Sequence, residues 1–508
     1  MSDFWRPAGA GVASVVAGVG VAELVSAFVV QNGSPILTVG ALLIDLAPPW
    51  LKEAVIGLFG TGDKAFLIVS LAVVVVVGAG IAGWLERVRP PLGRILIGLG
   101  GAVGVLAAVT RSGNSIVDAL PSVLAAGVAI LLLGWLMRML RDTEPTRVAP
   151  NGRVSRRRFV GSTAATAAGG ALALIVGQVV AGGFRAASAT RAAIRLPKPA
   201  ETAPPIPAGA SFDIPGLSPI VTPNADFYRI DTALQIPGID ANDWKLRITG
   251  MVENEVELTF AQLLALPLEE STTTLTCVSN EVGGDLIGNA TWLGYPIRHL
   301  LARAKPSADA DMVLSTSQDG WTASTPIETL TDERNAILAV GMNGQPLPLE
   351  HGYPVRMVVP GLYGYVSATK WVVSMEVTRF DRHTSYWTDR GWSERGPVKL
   401  SSRIDVPAAG RQVKAGTVAV AGVAWSQHVG VSAVQVKVDD GPWQQATLAD
   451  AISADTWRQW RFAWEATPGA HTLRVRATDA KGKVQTAAVQ DVVPDGATGL
   501  HSVRVTVV

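Results

Sequence analysis

One cysteine, Cys277, stands in 508 residues, and none of the six histidines precedes His299. A lone cysteine cannot close an intramolecular disulfide, and it cannot build a zinc site or an iron–sulfur cluster from thiolates. No Cys-x-x-Cys-His haem attachment can be written, and the apolar first third has no histidine pair to hold a haem. Charge of one sign is also missing. With 43 Lys and Arg against 42 Asp and Glu, a formal charge of +1 leaves no basic footprint for nucleic acid. What remains open for Cys277 is an inert buried side chain, a nucleophile, or a single soft thiolate on a metal whose other ligands come from elsewhere. If the chain does redox chemistry, its electrons must leave through a separate partner.

Apolar runs long enough to span a bilayer occur at about 8–30, 63–85, 92–110, 117–140 and 159–182. A further apolar segment, 36–60, is split by Pro48-Pro49 and followed at once by Lys52 and Glu53, so its second half reads as an interfacial or re-entrant helix. Arg87, Arg89 and Arg94 mark one loop as cytoplasmic; Arg138, Arg141, Arg147, Arg153 and Arg156 to Arg158 mark another. Five spans with a cytoplasmic N-terminus satisfy both loops and put everything after 182 outside the cell membrane. The last span opens on Ser155-Arg156-Arg157-Arg158-Phe159, which resembles a twin-arginine export signal kept as an anchor. Plain positive-inside charge accounts for the same arginines. The resemblance implies export in the folded state, with any cofactor inserted beforehand.

Residues 184–217 are Pro/Ala-rich and read as an extended, semi-rigid linker. Between 218 and 396, strand-like runs such as Trp244 to Gly250 alternate with brief helices and long polar loops, an α+β mixture. Cys277 lies at the end of the apolar, β-branched run Thr272 to Val278, just before a polar, Gly-rich loop, where a rigid strand can present a ligand. Beyond 397, short alternating strands separated by Asp440-Gly441-Pro442 and Pro468-Gly469 read as an all-β, immunoglobulin-like sandwich to 508. The fold class is thus multi-domain: a helical membrane bundle (1–183), an α+β domain and a β-sandwich.

Five stretches carry a family resemblance. Thr222-Pro223-Asn224-x-x-Phe227-Tyr228, Thr276-Cys277-Val278-Ser279-Asn280, Trp292-x-Gly294, the run Met342 to Gly361 and Ser367-Ala368-Thr369-Lys370-Trp371 are similar to the sulfite oxidase fold family of molybdopterin enzymes. The likeness covers about 218–500 and leaves out the membrane spans. It implies a molybdenum–molybdopterin cofactor with Cys277 as the protein's thiolate on the metal. It further implies that Asn224, Tyr228, Asp319, His351, Arg356, Ser367 and Lys370 contact the pterin or its phosphate. Arg356 and Lys370 suit an anionic phosphate, and Asn224 and Asp319 a polar heterocycle. Each has a plainer reading: a turn at Asn224 or at Asp319-Gly320, loop chemistry at His351, a solvated strand charge at Lys370.

The sulfite oxidases of that family place an arginine near the Asn224 motif and another shortly after the ligand cysteine. Here Ala225-Asp226 and Glu281-Val282 fill those neighbourhoods, and Trp392 takes the place of the active-site tyrosine. These departures favour a neutral sulfoxide, or another oxo donor or acceptor, over sulfite as the small-molecule substrate. Trp321, Trp387 and Trp392 either line such a pocket or serve packing. The sandwich resembles the dimerisation domain of molybdopterin oxidoreductases. Its Arg403, Trp425, Trp460 and Trp464 either meet a partner in a homodimer or fill the sandwich core. A catalytically silent membrane-anchored scaffold and a Cys–His hydrolase are the competing readings.

Overall fold

The computed structural model describes residues 2–28, 33–48, 51, 54–55, 58–59, 62–110, 116–142, 156–180, 187, 190–233 and 236–508. The chain forms two units, Met1–Ala186 with Thr232–Gly238, and Ala187–Asp231 with Ile239–Val508. In the first, five helices among the described residues are long and apolar enough to cross a membrane: Phe4–Ala27, Asp63–Val88, Leu92–Val109, Ile116–Asp142 and Arg157–Gly177. Their outward faces are aliphatic, as at the exposed Val73, Val74 and Val77, and their contacts are made by small residues. A Cβ added at Gly11 would lie 2.1 Å from the Ala79 carbonyl oxygen, and one at Gly20 would lie 2.3 Å from that of Gly170. Helix backbones therefore touch, the packing that works where lipid removes the hydrophobic drive between helices.

The 12-residue helix Pro35–Leu46 is too short to span, at about 1.5 Å per residue. Lys52 and Glu53, expected on an interfacial segment, lie outside the described residues, as do Arg147, Arg153 and the Ser155 that opens the twin-arginine-like motif. Arg87, Arg89 and Arg94 flank the turn between the second and third spans; Arg138 and Arg141 close the fourth, and Arg157 and Arg158 open the fifth. Positive charge marks both connections as cytoplasmic, so the chain leaves the fifth span on the extracytoplasmic side. It is a multi-pass membrane protein.

The second unit opens on a helical stretch at 190–193 and continues, as its prolines require, as an extended segment docked along the α+β domain and the sandwich. Arg191 donates to the carbonyls of Leu347 and Pro346, Ala200 N–H to Leu268, and Phe212 N–H to Gln459. The α+β domain has two sheets. In one, β1 (Lys245–Gly250), β2 (Val256–Thr259), β5 (Met312–Ser317), β6 (Thr322–Pro326) and β10 (Val372–Thr378) run in the order β2-β1-β10-β5-β6. In the other, β3 (Glu269–Thr276), β4 (Ile287–Pro296), β7 (Ile337–Met342) and β8 (Gln345–Pro346) run in sequence order, with β9 (Arg356–Val358) also paired to β7. Gly294 is required where β4 passes β7, because a Cβ there would lie 2.4 Å from the Leu338 carbonyl oxygen.

The C-terminal sandwich pairs β11 (Ser401–Val406), β13 (Gly416–Trp425), β17 (Arg458–Ala466) and β16 (Thr447–Leu448) in one sheet. The other holds β12 (Gln412–Val413), β19 (Ser502–Val507), β18 (Gly469–Asp479), β14 (Val431–Val438) and β15 (Gln444–Gln445). Trp460 and Trp464 fill its core with Val434, Val436 and Leu473. Trp425 and Trp457 instead pack with Ile287 of β4, joining the sandwich to the α+β domain.

Candidate active site

β3 is almost all threonine and serine after its two glutamates, β-branched side chains that suit a strand and carry hydroxyls a buried strand must satisfy. Thr274 does so by donating to Asn289 Oδ1 (3.0 Å), and Thr272 pairs with Thr291 (3.0 Å). Cys277 follows, and its loop is closed internally. Cys277 N–H donates to Leu286 O (2.9 Å), Asn280 N–H to Cys277 O (3.2 Å), Gly284 N–H to Glu281 O (2.9 Å), and Leu286 N–H to Asn280 Oδ1 (2.9 Å). The thiol is buried, and burial pushes its pKa up; the N–H groups of Ser279 and Val278 and the Ser279 hydroxyl act against that by facing the sulfur. A buried sulfur ringed by donors is set for a thiolate once a cation holds it in that state.

Tyr228 feels both Cys277 and the buried cation Arg356. Burial raises the phenol's pKa, the Cys277 charge adds to this, and Arg356 opposes it. Phe227 stacks on Tyr228 (5.3 Å between centroids) and meets Trp292 (5.7 Å) and His351 (5.6 Å) edge-on. Asn224 begins the turn before them. Its Oδ1 accepts from Asn343 Nδ2 (2.8 Å), and its carbonyl lies 3.0 Å from His351 Nε2. A carbonyl only accepts, so Nε2 carries the ring proton. Burial, with Arg356 nearby, lowers the His351 pKa to about 4, keeping the ring neutral.

Arg356, on β9, is buried over the Trp292 ring at 5.0 Å. Its guanidinium donates to the carbonyls of His351 (3.1 Å), Met357 (3.3 Å) and, at 3.5 Å, Ala368. Among the described residues no carboxylate forms a salt bridge with it, and burial lowers its pKa to about 10. Lys370 donates to Asp231 Oδ2 (2.6 Å) and Glu350 O (3.1 Å) beside the Trp371 ring, and burial brings it down to about 8. Gly352, at φ +111°, lets the two cations approach: its Cβ would lie 2.9 Å from that of Arg356 and 3.2 Å from that of Lys370.

Cys277, Asn224, Tyr228, His351, Arg356 and Lys370 are thus linked in one neighbourhood. The other three have local partners. The Ser367 hydroxyl donates back to Tyr363 O (2.9 Å), closing its own turn. Asp319 Oδ1 accepts from Trp321 N–H (3.3 Å) in the Asp-Gly turn. Trp392 is buried against Trp387 (6.1 Å) and Tyr365 (5.8 Å). Sequence reasoning missed Tyr363, whose pKa burial raises to about 12 with a contribution from Cys277. It also missed Asp231, three residues past the Thr222–Tyr228 motif, and Asn343, inside the Met342–Gly361 run, since nothing local marks either; Arg403 was singled out only as a partner-facing or core residue of the sandwich.

The donor set fits the group the motifs imply. It offers one donor-ringed thiol for a soft metal, a buried guanidinium held only by neutral oxygens, and a lysine beside it for an anion. Comparison with known proteins agrees. Residues 233–387 match the oxidoreductase molybdopterin binding domain, and residues 401–475 a bacterial Ig domain.

The chain belongs to the molybdopterin-binding oxidoreductases related to sulfite oxidase. It is 32% identical over 157 residues to the uncharacterized oxidoreductase YuiH of Bacillus subtilis, covering 31% of this chain and 76% of that protein. Mouse mitochondrial sulfite oxidase is 30% identical over 289 residues, 48% of this chain and 52% of that one. The chain therefore spans about half the length of the mitochondrial sulfite oxidase it matches. The solved structure of the sulfane dehydrogenase SoxCD from Paracoccus pantotrophus aligns with a TM-score of 0.48 at 23% identity, over 56% of this chain and 81% of that one.

Proposed function

We propose that this chain is a membrane-anchored oxidoreductase whose extracytoplasmic domain carries out two-electron oxo transfer on a small molecule. Molybdenum–molybdopterin, when bound, supplies that chemistry. The chain's own residues bind and tune. Cys277 is the metal's protein ligand, with Val278 and Ser279 donors stabilising its charge. Arg356 and Lys370 hold the cofactor's phosphate by charge-assisted hydrogen bonds, and Asn224, Tyr228, Asp319, His351 and the Ser367 turn border the pterin. Trp392, with Trp321 and Trp387, walls the substrate side. Electrons pass to a separate partner, and the twin-arginine-like motif fits export after cofactor insertion.

The observation that carries this reading is Arg356: a buried guanidinium over the Trp292 ring whose hydrogen-bond partners among the described residues are all carbonyls, near Tyr228, calls for an anion. For the substrate, we favour a sulfoxide or another neutral oxo donor or acceptor over sulfite, although named relatives are sulfite oxidases. Glu281 is exposed at the rim of the cysteine loop beside Val282. A carboxylate there repels a dianion.

The test is a screen of oxides and of sulfite with artificial electron donors and acceptors, comparing wild type with Cys277→Ser. Activity should collapse in the variant while it stays folded. A fully active Cys277→Ser contradicts the assignment, and a wild-type protein without molybdenum from a cofactor-competent host favours a silent scaffold.

A further inference from the structure

Both ends of the Cys277 segment are held from the other domain. On the near side, Gln427 Nε2, 4% exposed, donates to Thr276 Oγ1 (2.8 Å) and Thr274 O (3.4 Å). The Trp457 N–H donates to Thr274 Oγ1 (2.8 Å), and Thr274 N–H to Asp455 O (3.0 Å). On the far side, Arg403 is 8% exposed and grips Gly284 O (2.7 Å), Ser218 Oγ (2.9 Å) and, on its own strand, Asp405 Oδ1 (2.6 Å). The His501 ring presses on Gly283 so closely that a Cβ there would lie 2.2 Å from its Cδ2, with φ at +84° besides. That ring is fixed in turn, because its Nδ1 accepts from Ile404 N–H (3.0 Å).

A polar loop with adjacent glycines, Gly283-Gly284, has only a few hydrogen bonds of its own to hold it. Residue by residue, its position is decided by what it is fastened to. A planar guanidinium braced by the carboxylate of Asp405 on its own strand and bonded to the Gly284 carbonyl and the Ser218 hydroxyl in two other segments fixes the far end of the loop in direction as well as distance. The ligand cysteine is seven residues back along that loop.

We propose that Arg403 is a positioning residue for the Cys277 ligand, and that the immunoglobulin-like domain is thereby a working part of the metal site. This rests on the reading of Cys277 as the metal's protein ligand. Gln427 performs the same service from the strand side.

The test uses the full-length, cofactor-loaded protein in detergent, as wild type, Arg403→Gln, Gln427→Leu, Cys277→Ser and, as a control, Ser218→Ala. Two quantities are read: amide hydrogen exchange of the peptide 277–286, and the electron paramagnetic resonance signal of half-reduced molybdenum at matched metal content. Arg403→Gln should speed exchange about tenfold, the factor for losing one hydrogen bond from a charged donor. It should also shift the resonance signal. Gln427→Leu should shift the signal as well, which keeps the proposal open to refutation if Arg403→Gln does not fold. Ser218→Ala, which leaves the Gly284 bond, should stay within about twofold of wild type in exchange. Unchanged exchange in Arg403→Gln overturns the proposal. Faster exchange with an unaltered signal overturns it too, since the clamp would then support the loop without placing the sulfur. If Cys277→Ser itself retains the wild-type signal, the ligand reading is what has failed, and the exchange data separate the two failures.

Discussion

Arg356 concentrates the energetics of the site in one side chain. Burying a guanidinium against neutral carbonyls costs several kcal/mol that no ion pair returns among the described residues. Arg356→Met should therefore leave the thermal unfolding of cofactor-free protein unchanged or raise it, while cofactor retention falls at least about tenfold, measured as molybdenum per chain after dialysis. A drop in stability as well would mean that the arginine is structural. His351 gives a pH signature of the opposite kind. Its folded pKa of about 4 lies below the ordinary 6.5, so the unfolded chain takes up the proton first. Its contribution is complete above pH 6.5 and is lost as pH falls toward about 4, about 3 kcal/mol in all. His351→Gln should flatten that part of the pH dependence of urea unfolding, read as the difference from wild type.

At this scale the sequence was informative where residue type is rare and chemistry narrow. Cys277 is alone, and Arg356 and Lys370 lie inside long motif stretches. Tyr363 was not legible, and Arg403, singled out only within the sandwich, was not legible as a contact of the cysteine loop: it reaches Gly284 across 119 positions, and no local pattern encodes such a contact. The local partners of Asp319 and Ser367 show the converse. A Ser or Asp beside a turn bonds its own backbone in most contexts, and spacing does not distinguish that from ligand contact.

Two glycines separate crowding from backbone conformation among the elements. Gly294, in the Trp-x-Gly motif, has no room for a methyl against Leu338 O, whereas Gly344 has φ +75° and open space around it. Gly294→Ala should cost about 2 kcal/mol through forced separation of β4 and β7. Gly344→Asn, a residue that tolerates this conformation, should cost under about 1 kcal/mol. Denaturant midpoints at constant slope make the comparison. The elements themselves were largely readable, since apolar runs, alternation and turn dipeptides follow one-dimensional periods. The prolines of 184–217 read as a linker, but the docking of its described part on Leu268, Leu347 and Gln459 rests on hydrogen bonds, one backbone–backbone and two through the Arg191 and Gln459 side chains, that composition does not mark.

For the whole molecule, the arrangement of basic residues fixes orientation. An alkaline phosphatase fused after residue 200 should be active, and one fused at residue 90 inactive; the reverse pattern would invert the topology. Everything beyond the fifth span then lies outside the membrane, and in the function proposed above its chemistry centres on a single thiolate. Molybdenum X-ray absorption on the purified full-length protein tests that claim most directly. Cys277→Ser should retain the metal with one sulfur fewer in its coordination shell than wild type. An unchanged sulfur count would show that Cys277 is not the ligand.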